Sequence, residues 1–371
     1  MTPQTPHTTV LIIPTGIGAA IGGYAGDALP VARALAQVTD RLITHPNVMN
    51  GAQMYWPLPN AYYVEGYGLD QFAAGEWGLQ PVHQNPIGLV FDQSIEDDLR
   101  WRHLQAADAA RATLGLDIRA HVMTDRPLKV TLKTTESGAS WGTLEHPDSL
   151  LRAAERLIIE AGVRAIAIIA RFPDDEGSAV LEAYRQGQGV DPLAGAEAVI
   201  SHLVVRTFQI PCAHAPALAP ISLNPNVSPR SAAEEIGYTF LPCVLAGLSR
   251  APQFVMQPSI HQKLLHRNLL HRNLTDATVI QSAQVNAVVV PATAFGGSAA
   301  ISLAQSADQV IAVGENTTTM AVRAADLGIR ATHVETYLEA VGAIAAYRAG
   351  VTPSALRPQI QRLPSLPPSP P

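Results

Sequence analysis

The chain has 371 residues, 47% hydrophobic and 15% charged, with a net charge of −6. The charge content lies below the usual ~25% of globular chains, yet the apolar content is ample for a core and excludes wholesale disorder. No block of basic residues points to nucleic acid, and two cysteines, Cys212 and Cys243, exclude a disulfide scaffold or cysteine-based zinc site and suit a reducing, cytoplasmic setting.

Residues 1–8 read as a tail. Residues 10–26 lack charge, but the preceding MTPQTPHTT has no Lys or Arg, so a signal peptide is not expected. Residues 9–13 (TVLII) form a first strand, followed by a glycine-rich loop at 14–28 and a helix over about 29–38. Residues 41–44 give a second strand that opens into HPNVMNGA. The stretch 54–86, rich in Tyr, Trp, Gly and Pro, receives no regular assignment, and no boundary can be placed between 100 and 150. An amphipathic helix follows at 148–161, a buried strand at 164–170 and a helix at 194–207. LLHRN then occurs twice in tandem, at 264–268 and 269–273. Its His266 and His271 are five apart, which does not put them on one helix face as a metal pair requires, so the repeat reads as solvated.

Residues 277–307 are uncharged, but Gln281, Gln284, Asn286, Pro291 and two glycines interrupt them, so they do not read as a membrane span. They begin a regular series instead. Strands at 286–291, 309–313 and 330–334 lead through TAFGGS, GENTTT and Glu335–Thr336 into helices near 299–307, 320–327 and 337–348. Such β-loop-α units predict a parallel sheet covered by helices. From 352 onward seven prolines predict an extended tail. The expected architecture is α/β, a largely parallel sheet with flanking helices in Rossmann-like layers. The body covers 9–350, with room for two lobes at about 9–145 and 146–350, and 351–371 form the tail.

Ligands of open α/β sheets bind outside the carboxyl ends of the strands, so the polar residues there are the candidates. They are Thr15, Gly16, Gly18, Gly22, Gly23 and Asp27 after the first strand, and His45, Asn47 and Asn50 after the second. The last units add Gly296, Gly297 and Ser298, then Glu315, Asn316 and Thr317, then Glu335. Glycines let backbone N–H groups approach an anion, although G-x-G-x-x-x-G at 16–22 is one residue longer than the dinucleotide fingerprint and is not a Walker loop. Tight packing of the loop is the structural alternative. His45 is a candidate general acid or base, or simply a bonded loop histidine. Glu315 and Glu335 are candidates for proton transfer, or for capping the helices they precede. Only three lysines occur, and two of them, Lys129 and Lys133, lead into SGASWG at 137–142. There Lys133 could activate Ser137 or Ser140 in amide or ester hydrolysis, unless the segment is an exposed turn.

Several strings resemble one known family: IPTGIGAAIGGYAGDA at 13–28, THPNVMNGA at 44–52, SGASWG at 137–142, FLPCVLAGLSRAP at 240–252 and VGENTTTM at 313–320. It is an uncharacterised domain-of-unknown-function family of cyanobacteria and plants. The resemblance covers about 8–350 and carries no activity or site residue with it. The sequence thus leads to the expectation of a small-molecule enzyme acting on a polar, anionic metabolite, with a non-catalytic metabolite- or nucleotide-binding protein as the alternative. No metal site and no particular cofactor is indicated. Neither nucleic acid nor membrane is an expected partner, and a homo-oligomer is allowed.

Overall fold

The computed structural model describes residues 5–50, 57–174, 179–219, 222–232, 240–256, 278–363 and 365. The tandem LLHRN repeat lies outside them.

The valine- and isoleucine-rich runs are strands, divided between two parallel sheets. The first has six strands: β1 (Thr8–Leu11), β2 (Arg41–Thr44), β3 (Ala61–Tyr63), β12 (Val285–Pro291), β13 (Gln309–Val313) and β14 (Thr332–Val334). Their order is β14-β13-β12-β1-β2-β3. The second has β5 (Ile87–Phe91), β6 (Ile118–Met123), β9 (Ala165–Arg171) and β10 (Cys212–Ala217) in the order β10-β9-β5-β6. The chain therefore starts the first sheet, builds the second between residues 87 and 217, and returns to complete the first. Two antiparallel pairs complete the strands: β4 (Trp77–Gln80) with β11 (Gln253–Met256), and β7 (Val130–Thr134) with β8 (Ser140–Leu144).

Helices cover both sheets, as runs buried on both faces require. They are α1 (Leu29–Gln37), α2 (Pro46–Met49), α3 (Gly66–Ala73), α4 (Asp97–Leu114), α5 (Pro147–Ala161), α6 (Ala179–Arg185), α7 (Ala194–Phe208), α8 (Phe240–Ser249), α9 (Ser298–Leu303) and α10 (Tyr337–Arg348). One core runs across the gap between the sheets. In it Leu241, Val244, Leu245 and Leu248 of α8 pack with Leu11, Leu42 and Val289 of the first sheet and Leu89, Ile169 and Ala213 of the second. A second core lies under α3 and α9, and a third under α5 and α7. Among the described residues no helix is long and apolar enough to cross a membrane.

Two helices depart from the sequence reading. α9 ends at Leu303. Residues 320–322 are not helical, because Val322 makes a parallel bridge with Ala294. The Val322 N–H donates to Thr293 O at 2.9 Å and the Phe295 N–H to Val322 O at 3.0 Å. Backbone partners on the neighbouring loop thus replace a helical ladder, and only a 3-10 turn forms, at Ala324–Leu327. The stretch around 54–86 holds β3, α3 and β4. Pro353–Leu356 forms a further 3-10 turn, fully on the surface.

Candidate active site between the two sheets

In the first sheet β1 is flanked by β2 on one side and β12 on the other, so the connections leave in opposite directions. This reversal point is where open α/β sheets hold ligands. A cavity of about 490 Å³ opens there. One wall comes from the strand-end loops: Thr15 after β1, His45, Asn47 and Asn50 after β2, and Gly296, Gly297 and Ser298 after β12. The other comes from the second sheet, through Asp191, α7, and His214 on β10. Glu65 and Asp70 of the α3 region stand between them.

α7 faces the cavity with Ala194, Glu197, Ala198, Ser201 and His202. Their i, i+3, i+4, i+7, i+8 spacing is one helix stripe, while Ile200, Val204 and Val205 of the same helix are buried in the core. The stripe carries a line of polar contacts. His214 Nε2 lies 3.4 Å from Glu197 Oε2, and its Nδ1 3.4 Å from Ser201 Oγ. Ser201 Oγ donates to Glu65 Oε1 at 3.2 Å, and His202 Nε2 lies 3.0 Å from the same oxygen. Glu65 Oε2 accepts the N–H groups of Tyr67 and Gly68 at 2.8 and 3.2 Å, which caps α3. That cap lets GYGLDQFA start a helix despite two glycines of poor helix propensity.

Burial shifts several of these groups. Asp191 is pushed up to about 7, first by burial and then by the charge of Glu197, against the N–H groups of Leu193 and Ala194. Asp70 is also raised by burial, although its Oδ1 accepts the Ala299 N–H at 2.9 Å. Burial disfavours the charged form of His202, but the hydrogen bond and charge of Glu65, with the charge of Asp70, outweigh it and leave the imidazole above its ordinary value. Burial depresses His45 to about 4. Its Nε2 accepts the Ile13 N–H at 3.0 Å, so the neutral ring carries its proton on Nδ1. Among the described residues no group of three or more His, Cys, Asp or Glu is placed to hold a metal ion.

The family model described as "Protein of unknown function (DUF3326)" matches residues 8–357. The chain belongs to the DUF3326 family. It is also similar to an uncharacterized lipoprotein of the cyanobacterium Synechococcus sp., 60% identical over 356 residues, covering 96% of this chain and 95% of that protein. No solved structure matches it.

In this DUF3326 chain the remaining residues singled out in the sequence lie outside the cavity lining. The glycine-rich loop is a packed strut. Gly22 has φ +90° and its Cβ position is filled by Ile13, so no other residue fits there without strain. The N–H groups of Ile21 and Gly22 donate to Asn316 Oδ1 and Asp27 Oδ1 at 3.0 and 2.7 Å, and that of Ala20 to Thr317 O at 3.1 Å. Asp27, raised by burial to about 6, sits beneath the loop. Gly16 O accepts the Ser140 N–H at 3.0 Å, Gly18 packs against Gly189 and Val190, and Gly23 closes on Ala19. Glu315 Oε1 accepts the Tyr337 N–H at 2.9 Å, and the Glu335 backbone N–H donates to Glu339 Oε2 at 2.6 Å, so the Glu315 side chain and the Glu335 backbone are tied to the start of α10. Lys133 lies over the Trp141 ring, 4.5 Å from its centroid, and Ser137 Oγ is 2.8 Å from Thr135 Oγ1 on an exposed turn. Ser140 Oγ accepts the Gly195 N–H at 3.1 Å and so fastens the hairpin to the start of α7.

The acidic wall was missed. Glu65 and Asp70 fall in the stretch with no regular assignment. The stripe on α7 was readable as a helix face, but one opposite to the apolar face that marks the core.

Proposed function

We propose that this chain is a small-molecule enzyme that performs general acid–base chemistry on a polar metabolite in the cavity between its sheets. The observation that carries this reading is the convergence of Asp191, Glu197 and His214 on one wall, with a carboxyl that titrates near neutrality. A group poised near the working pH can both take and give a proton. His45 plays a different part. With Nε2 occupied and the ring neutral at pH 7, it offers an Nδ1 donor to a ligand oxygen instead of acting as a base. Thr15, Asn47 and Ser298 add neutral polar groups beside it.

The lining charges bear on the ligand. Glu65, Asp70, Asp191 and Glu197 line the cavity, against one guanidinium, that of Arg185. Arg185 is already engaged by Glu182 at 3.1 Å. The N–H groups at 20–22, which an anion would need, donate within the protein. We therefore favour a ligand rich in hydrogen-bond donors, or one bearing a protonated amine, over an anion. Lys133 with Ser137 or Ser140 has no part in this chemistry.

Wild-type protein and Glu197→Gln should be incubated with a cell metabolite extract and followed by mass spectrometry. Wild type should consume a compound that the variant converts roughly 100-fold more slowly. A compound retained unchanged by wild type would replace the enzyme reading with that of a binding protein. We also propose a cytoplasmic location, tested by cell fractionation. If the lipoprotein name of the Synechococcus relative applied here, the chain would appear in the membrane fraction.

A further inference from the structure

The contacts along α7 do more than join neighbours. They form an unbroken line whose middle is buried and whose two ends are more open, His202 the more so. The His202 side chain is 40% exposed, whereas Glu65, to which it is bonded, is 3% exposed. Ser201 is 2% exposed and touches both Glu65 and His214. His214 and Glu197 at the other end are 18% and 15% exposed, less than His202. Both ring nitrogens of His214 therefore face protein groups, Ser201 on one side and Glu197 on the other.

We propose that His202, Glu65 and Ser201 form a proton relay that connects the Glu197–His214 pair to solvent. This inference rests on the acid–base reading of the cavity and adds its proton supply. A ligand seated against Asp191 and Glu197 excludes the water that would otherwise exchange protons there, while His202 lies further along the same wall with its side chain 40% exposed. The relay provides a route along the wall instead. Inward, the His202 Nε2 proton passes to Glu65 Oε1, a proton passes from Glu65 to Ser201 Oγ, and the Ser201 hydroxyl proton passes to His214 Nδ1. One proton leaves His202 and one arrives at His214, while Glu65 ends as the carboxylate and Ser201 as the hydroxyl they began as. The reverse order carries a proton out. Each link is a hydrogen-bond contact between groups able to both accept and donate over one cycle.

Other titratable groups border the line without belonging to it. Asp70 on α3 acts on His202, and Asp191 lies beside Glu197 and His214. The Tyr67 ring centroid is 6.2 Å from that of His202. Tyr63 and Cys212 feel the charge of Glu65, and burial holds both well above their ordinary values, so they stay protonated.

The test is the exchange of the His214 ring N–H with water, measured by NMR in the intact chain. Ser201→Ala keeps a strong helix former in α7 and removes the hydroxyl link. It should slow the exchange roughly tenfold. His202→Gln leaves the Ser201–His214 contact in place and should slow it to a similar degree. If Ser201 only braced the helix, its loss would loosen the wall and leave exchange unchanged or faster, and either result in either variant overturns the relay. Slowed exchange without any converted substrate would leave the relay standing and remove only the enzyme reading. Conversion with unaltered exchange would do the opposite.

Discussion

The two parallel sheets each have a point where their connections reverse, β1/β12 in the first and β5/β9 in the second, yet only the first opens into the cavity described above. At the second, Asp92 is fully buried. Its Oδ1 accepts the N–H groups of Ser94 and Leu128 at 3.1 and 3.0 Å, and its Oδ2 accepts that of Arg171 at 3.2 Å. The Arg171 side chain, at the end of β9, is held by Glu96 at 2.9 Å and Asp174 at 2.6 Å. Every one of these polar groups has a partner within the protein. At the first reversal point, polar groups instead line about 490 Å³ of space. Topology thus nominates two sites, and open space beside the polar groups of the first separates a candidate for chemistry from a structural plug.

Breaking the plug should have the largest effect. Asp92→Ala removes the acceptor of three backbone donors, the Leu128 N–H buried and those of Ser94 and Arg171 partly so, and an unsatisfied buried donor costs ~1–3 kcal/mol. Denaturant unfolding should show a loss of about 3 kcal/mol or more. A loss below about 1 kcal/mol would mean that water replaces the carboxylate and that the second site is open as well. Glu197→Gln should behave in the opposite way. Its conversion of substrate falls roughly 100-fold while its unfolding midpoint stays close to wild type, because the side chain stands on a cavity wall.

The comparison also explains what the sequence could convey. Strand runs such as VNAVVVP and AIAIIAR are buried on both faces, and their composition marks them without reference to any partner. The amphipathic α5 and the capped α10 are equally local, the latter through Thr336, whose side chain accepts the Glu339 N–H. The division of the strands between two sheets is not local, since it depends on which runs pair across more than a hundred residues. Of the candidate site, the strand-end loops were legible because their position follows from β-loop-α order. The acidic wall was not. Glu65 looks like an isolated acid in a stretch rich in glycine and tyrosine, and its meaning comes from Ser201 and His202, 136 residues away in the case of Ser201. The glycine-rich loop is ambiguous in sequence for a related reason. Its glycines meet Ile13, the Gly189 carbonyl and the Val190 side chain, and a sequence shows only that room is needed, not what occupies it.

A finer contrast lies within the cavity wall. Burial raises Asp191 from an ordinary 3.8 to about 7, so the folded state binds its proton more tightly than the unfolded chain. The stability this contributes is fully present below about 4 and is lost as the pH rises through about 7. Wild type should therefore unfold more easily at pH 8 than at pH 5, and Asp191→Asn, which carries no titrating proton, should flatten that difference. An undiminished slope in the variant would assign the pH dependence to Asp27, which burial raises to about 6 beneath the glycine-rich loop.

The smallest effect is expected at Lys133, which tests whether the β7–β8 hairpin is a support or a second reaction centre. Its ammonium lies over Trp141, a ring that is 42% exposed. An exposed pair of this kind contributes ~0.5–1 kcal/mol. The hairpin's firm attachment is made elsewhere, where Ser140 bonds Gly16 and Gly195 and leaves no space for a Cβ at residue 195. Lys133→Ala should therefore lose no more than about 1 kcal/mol in denaturant unfolding and keep the full rate of any conversion found with wild type. A large fall in rate with unchanged stability would move the chemistry to the hairpin. Equal turnover would leave the hairpin as the brace that holds the first turn of α7, and through it Glu197, against the glycine-rich loop.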